Sequence, residues 1–270
     1  MSTEKAVEST NSAFREQLTA AFPGVMYSLR RLIWQLGQVG RENRERLGQF
    51  HNRHAGQRCF VIGNGPSLKA MDMTPLKDEF TFSLNRGYLY FDRIGAACTY
   101  QVAVNTHVLD QFRDEFLELD NQKFFPWGTR RWFPQDPSIY YLAGPVKPEP
   151  PRFSDDIRVD MWSGATVTFV ALQLAYFMGF SNVVLIGVDH SFATKGTPHK
   201  LVTSQGDDPN HFAPDYFGKG VKWQLPDLDT SEIAYTLARE AYLADGREIV
   251  DATVGGKLTV FPKVNYQELF

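Results

Sequence analysis

The sequence predicts an α/β fold: a Rossmann-like, mostly parallel sheet with helices on both faces, preceded by a helical N-terminal extension. Three observations carry this expectation. Short apolar runs end repeatedly in glycine or asparagine, as in RCFVIG (58–63), TFSLN (81–85) and NVVLIGVDH (182–190). Long helical patterns lie between the later runs. The run NVVLIGVDH is apolar without alternation, as a strand covered on both faces of a parallel sheet must be. At 270 residues, 43% hydrophobic and 22% charged, the chain is large enough for one substantial core.

Residues 1–55 are read as the extension and 56–270 as the nucleotide(-sugar)-binding catalytic domain. The extension is Gly-poor and broken at Phe22-Pro23-Gly24. Met26, Leu29, Ile33, Leu36 and Val39 fall near helical spacing. From Arg30 to Arg58 there are seven arginines against two glutamates. A solvated helix docked on the domain or on another subunit is the favoured reading; attachment to an anionic membrane surface, with Trp34 and the leucines inserted, is the sharper one.

Strands follow at RCFVIG, TFSLN, ACTYQVAVN (97–105), NQKFFPW (121–127) and SIYYLAG (138–144). The segment 145–156, PVKPEPPRFSDD, is too proline-rich for regular structure. The helix in WSGATVTFVALQLAYFMGF takes Ser163 as N-cap and Gly179 as its stop, and being apolar nearly all round it should be buried. After NVVLIGVDH comes a polar stretch, 191–229, read as a lid rich in aromatics. DTSEIAYTLAREAYLADG offers an Asp229-x-x-Glu232 capping box and ends at Gly246. REIVDAT (247–253) is the last core strand, with VGGKL looping after it.

Ligands in such sheets bind beyond the carboxyl ends of the strands. That rule gathers 63–67, 85–86, 105–107, 187–190 and 253–256, with Ser163 and Gly164 facing the same rim. The turn Gly63-Asn64-Gly65-Pro66-Ser67 is expected to hold an anionic nucleotide on its amides, helped by the positive end of a following helix. It is neither a dinucleotide fingerprint, since Leu68 stands where the third glycine belongs, nor a P-loop. The net charge of −3 gives no sign of nucleic acid as a partner. Cys59 and Cys98 read as buried thiols of a reducing compartment. With no signal-peptide pattern and no window long enough to span a bilayer, the expected location is cytoplasmic, including the inner face of the membrane.

VIGNGPSLKAMD, SLNRGYL, SGATVTFVALQLAYFMGFSNVVLIGVDHSF and DATVGGKLTVFPKV together resemble the MptE-like 6-hydroxymethylpterin diphosphokinase and motility accessory factor family. Bacterial CMP-sialic-acid sialyltransferases share the order G-N-G-P-S, N, S-G, G-[IV]-D. The resemblance covers roughly residues 58–262. It implies either sugar transfer from a CMP-linked donor to a glycan or small-molecule acceptor, in bacterial surface glycan biosynthesis, or Mg2+-dependent diphosphate transfer from ATP. The first is favoured. A non-catalytic scaffold of the same fold, or a homo-oligomer, stays open.

The resemblance assigns His211 as the base for the acceptor hydroxyl, with Tyr216 and Lys219 steadying the leaving phosphate. Asn85 should touch phosphate, and Ser163 and Gly164 the nucleoside or donor sugar. Asn105, Gly187, Gly255 and Gly256 complete the expected nucleotide rim. His190 and His107 are weaker base candidates. No cofactor is required for the favoured chemistry. Mg2+, were it used, would sit at Asp189, whose other reading is to fix neighbouring loops through their N–H groups. The Asp227-Leu228-Asp229 triple resembles a metal-binding D-x-D, although Asp229 also suits a helix cap.

Overall fold

A computed structural model of the chain describes residues 31–144, 150–194 and 196–270. The break at Phe22-Pro23-Gly24 and the helical positions Met26 and Leu29 lie outside the described residues. Seven strands form one parallel sheet: β1 (Arg58–Ile62), β2 (Phe80–Leu84), β3 (Tyr100–Val102), β4 (Gln122–Pro126), β5 (Ile139–Leu142), β6 (Asn182–Ile186) and β9 (Glu248–Asp251). Their order is β5-β4-β3-β2-β1-β6-β9, every pair parallel. The chain builds outward from β1 to β5, then returns to β6 beside β1. The fold is therefore Rossmann-like, and its switch point lies between β1 and β6.

Alternation along the strands feeds two cores. Cys59 and Val61 of β1 and Val183 and Leu185 of β6 face one; Phe60, Ile62, Val184 and Ile186 face the other. The first core is covered by α1 (Gln38–Gly48), α5 (Val167–Phe177) and α6 (Leu228–Ala244). α5 is buried almost all round, as its composition requires. Trp34, Leu47 and Phe50 belong to this same core, although they precede residue 56. Trp34 is thus packed inside the protein, away from any membrane surface.

The second core is covered by short elements: α2 (Phe91–Ile94), α3 (Thr106–Gln111), α4 (Arg113–Leu117) and several 3-10 turns. The polar stretch after β6 closes it. There a two-stranded antiparallel hairpin, β7 (Leu201–Thr203) with β8 (Lys222–Gln224), flanks the buried Phe212, Tyr216, Phe217 and Trp223. The expected lid is therefore, over 212–217, a packed wall.

Three local expectations are corrected. The element after the 63–67 turn is a 3-10 turn, Pro66–Ala70, too short to supply a helix end. α5 begins at Val167, capped by Thr166, whose hydroxyl accepts the Thr168 N–H; Gly164 and Ala165 before it both take positive φ (51° and 58°), which breaks the helix that Ser163 was expected to start. α6 is capped by Asp227, which accepts the Thr230 N–H at 3.0 Å, so Asp229 and Glu232 form no capping box.

Candidate functional site

The turns that end β1 and β6 are joined to each other before any ligand enters. The Gly63 N–H donates to Ile186 O (2.7 Å) and the Gly65 N–H to Gly187 O (2.9 Å). A Cβ on Gly63 would lie 2.2 Å from Gly187 O, so only glycine lets the two backbones approach. Gly187 itself has φ 66° and sits against Leu68, the residue that replaces the third glycine of a dinucleotide turn. The Asp189 carboxylate accepts from both the Ser67 N–H (3.1 Å) and the Ser67 hydroxyl (2.6 Å).

These contacts use most of the expected phosphate cradle: Pro66 has no N–H, and the amides of Gly63, Gly65 and Ser67 already have partners. An internal carboxylate stands where the anion was expected. Of Asp189's two readings, the loop-fixing one holds.

A cavity of about 250 Å3 opens directly above this seam. Asn64, Asn85 and Asn105 line it, from the ends of β1, β2 and β3, and Ala165 and Thr166 line it from the start of α5. Asn64 donates to Leu84 O at 2.8 Å, which fixes its amide so that Oδ1 accepts. That oxygen is buried and has no partner among the described residues. Asn85, held at φ 48° as the chain leaves β2, has a buried Oδ1 in the same condition. Both oxygens are therefore acceptors buried beneath the cleft without a partner. Asn105 is spoken for as the cap of α3, accepting from the N–H groups of His107 (3.0 Å) and Val108 (3.3 Å).

His211 stands in the cavity wall with a carboxylate behind it. Its Nδ1 lies 2.7 Å from Asp208 Oδ2, and Asp208 is buried. A carboxylate only accepts, so Nδ1 donates to it, and in the neutral ring Nε2 is then the nitrogen with the lone pair. Asp208 is held in turn: its Oδ1 accepts the Asn210 N–H at 2.8 Å. The ring lies flat on Tyr216, centroids 4.0 Å apart and planes 10° apart. The Phe212 N–H donates to Asn64 O (2.8 Å), which ties this loop to the β1 turn.

Tyr216 is a platform rather than a leaving-group contact. It is 1% exposed, its hydroxyl accepts the Arg86 N–H at 3.3 Å, and burial pushes that hydroxyl far above its usual pKa. The Arg86 guanidinium, itself buried, donates to the carbonyls of Asp215 (3.0 Å) and Tyr216 and pairs with Glu115 (3.2 Å). The sequence reading counted Asp208 only as an available carboxylate and Arg86 only as a strand-end position, and gave neither its role beside His211 and Tyr216. The signal for Asp208 was present in D-x-x-H at 208–211.

Other expected residues are not brought together. Lys219 is exposed at a turn and lines no cavity, so it is withdrawn as a phosphate contact. Gly255 (φ 68°) and Gly256 shape the turn after β9, away from the cavity lining. Gly164 packs against Ala234 and Phe169, and Ser163 lines a different cavity. His107 lies outside the cleft lining. His190 does line the cleft, 2.9 Å from Glu232, and so does His199, 3.2 Å from Asp227. Among the described residues the lining contains three histidines and no lysine or arginine.

The carboxylates do not fit a protein-held Mg2+. Asp189 is committed to Ser67, Asp208 to Asn210 and His211, and Asp227 to Thr230 and His199. Among the described residues no three candidate metal ligands gather. Nor is any described helix long and apolar enough to cross a membrane. Compared with protein-family models and with curated proteins, the chain matches none.

Proposed function

We propose that the protein is a glycosyltransferase-like enzyme of bacterial surface glycan assembly. It would take a sugar, of the acidic sialic-acid-like kind, from a CMP-activated donor and pass it to an acceptor hydroxyl. The observation that carries this reading is the Asp208–His211 pair in the wall of the switch-point cleft.

In this reading His211 Nε2 takes the proton from the acceptor hydroxyl as that oxygen bonds to the anomeric carbon, while the sugar–phosphate bond breaks and CMP leaves. Asp208 holds the imidazole in the required tautomer and balances the imidazolium charge. Asn64 and Asn85 line the same cleft and would stand beside the nucleoside or donor sugar. With Lys219 outside this lining and the Tyr216 hydroxyl taken up by the Arg86 N–H, the departing phosphate would face His190, His199 and the Thr166 hydroxyl.

Calorimetry with CMP and with ATP, each with and without Mg2+, is the first test. CMP is expected to bind without metal. ATP binding that demands Mg2+, with no CMP binding, would reverse the order in favour of diphosphate transfer. Hydrolysis or transfer of CMP-sialic acid is the second. Asp208→Asn should keep CMP affinity yet lower the rate by about 10²–10⁴, because the amide would donate to Nδ1 and force the wrong tautomer. An unchanged rate in Asp208→Asn and His211→Ala would remove the base assignment, and no binding of any nucleotide would favour the non-catalytic scaffold.

A further inference from the structure

The three histidines of the cleft are not alike. Each lies against its own carboxylate, His190 Nε2 at 2.9 Å from Glu232, His199 Nε2 at 3.2 Å from Asp227 and His211 Nδ1 at 2.7 Å from Asp208. In His211 the carboxylate takes Nδ1 and leaves Nε2 to a ligand. In His190 and His199 it takes Nε2 and leaves Nδ1. The His190 ring is largely covered, yet its Nδ1 is neither hydrogen-bonded among the described residues nor sealed from solvent. The His199 side chain stands more than half exposed.

Backbone strain gathers at the same place. Among the described residues five other than glycine have positive φ, and four of them line this cleft: Asn85 (48°), Ala165 (58°), His190 (52°) and His199 (62°). Such conformations cost free energy, persist only where the surrounding structure holds them, and cluster at ligand sites.

A neutral imidazole that donates to a carboxylate has only a lone pair on its other nitrogen, where a phosphate oxygen, itself an acceptor, finds no donor. A second proton changes this. The imidazolium donates to the carboxylate from Nε2 and to a phosphate from Nδ1, and the carboxylate balances its charge. Apart from His211 no other group of the described lining can turn cationic. Its further titratable groups are Asp189, held by Ser67, and the buried phenols of Tyr216 and Tyr235, the last with its ring 6.2 Å from that of His190. Lys200 follows His199 but lies outside the lining.

We propose that His190 and His199 are the phosphate grip of this cleft, each as an imidazolium steadied by its own carboxylate, so that a phosphate enters together with protons. Glu232 and Asp227 are then positioning residues. Naming that phosphate as the donor's rests on the function proposed above; the proton-coupled grip does not. Anion affinity should rise as pH falls through the histidine range, about 6.5, and above about pH 8 both rings are neutral and an inorganic anion finds no grip here.

The test is the protonation midpoint of each imidazole, read by NMR in the full chain labelled at its six histidines and assigned with single substitutions. Inorganic sulfate, which stays a tetrahedral dianion across the titration, is the first probe, against sodium chloride at equal ionic strength; CMP is the second. Sulfate should raise the midpoints of His190 and His199 saturably, by about 0.5–1 pH unit, where one unit means a tenfold preference for the imidazolium. His51 and His107, outside the lining, should stay in place. His190→Asn and His199→Asn, in which asparagine tolerates the positive φ, should each weaken sulfate binding about tenfold. Glu232→Gln should lower the His190 midpoint and leave that of His199; an unchanged His190 midpoint would remove the positioning role. If sulfate moves neither midpoint, or only that of His211, the inference is overturned. If CMP moves His211 and neither of the other two, the nucleotide cleft stands and the grip fails. If sulfate moves both and CMP binds nowhere, the grip stands and the CMP reading falls.

Discussion

Replacing Asp189 by alanine tests whether the 63–67 turn is closed from within. Its carboxylate accepts two hydrogen bonds from Ser67, at 3.1 and 2.6 Å, in a half-buried setting. A hydrogen bond to a charged partner contributes about 1.5–3 kcal/mol. For two partly solvated bonds a net loss of about 3 kcal/mol is the working figure. In a chain of this size each kcal/mol moves Tm by about 2–4 °C, so Asp189→Ala should melt about 6–12 °C lower. The substitution also uncovers the Ser67 N–H and hydroxyl. Inorganic phosphate should then stabilise the variant, by about 1.4 kcal/mol at ten times its Kd, and do little for the parent. Differential scanning fluorimetry across a phosphate series, at constant ionic strength, reads both effects. Equal stabilisation of parent and variant by phosphate, or a variant Tm within about 2 °C of the parent's, would refute the internal-anion account.

Gly63→Ala should cost at least about 3 kcal/mol or prevent folding, because the new Cβ meets a backbone carbonyl that cannot step aside; chemical denaturation measures it. Cys59 and Cys98 should both be silent to a thiol reagent in the native protein and react after denaturation, since burial pushes Cys98 up to about 12 and Cys59 well above its usual range; one fast native thiol would contradict this. Burial also lowers the pKa of His54, opposed by its bond to Gln57 and aided by the charge of Arg53. The native state therefore favours neutral His54, so its contribution is complete above about pH 6.5 and is lost as pH falls through that value, where the unfolded chain takes up the proton. Melts at neutral and mildly acidic pH should show a shallower loss in His54→Gln than in the parent.

The sheet was legible in the sequence because its strands are continuous apolar runs ended by residues that tolerate a turn. β1, β6 and β9 lie inside the runs 58–63, 182–190 and 247–253, and β2 is offset by one residue from the run 81–85. The β7–β8 hairpin was not, because each strand is three residues long and turns only one apolar residue inward, Val202 and Trp223, between exposed neighbours. The start of α5 was misplaced because Ser163 and Thr166 are both good caps, and only the left-handed backbone at Gly164 and Ala165 decides between them. His211 was placed in a cleft by resemblance, whereas Asp208, three residues upstream, was counted as an available carboxylate and not paired with it. The fate of the glycine turn could not be read locally at all. Asp189 is 122 positions from Ser67, and nothing in the pentapeptide records that a distant carboxylate will fill it.

That long-range bond has a consequence for how binding begins. A loop that waits for an anion must be ordered by its guest, and the guest's affinity is reduced accordingly. Here Gly63–Ser67 and Gly187–Asp189 settle their geometry between themselves as the two halves of the chain meet. An arriving molecule finds a finished floor, so its discrimination rests on the side chains that line the cleft above that floor, His211 among them, rather than on the glycines beneath.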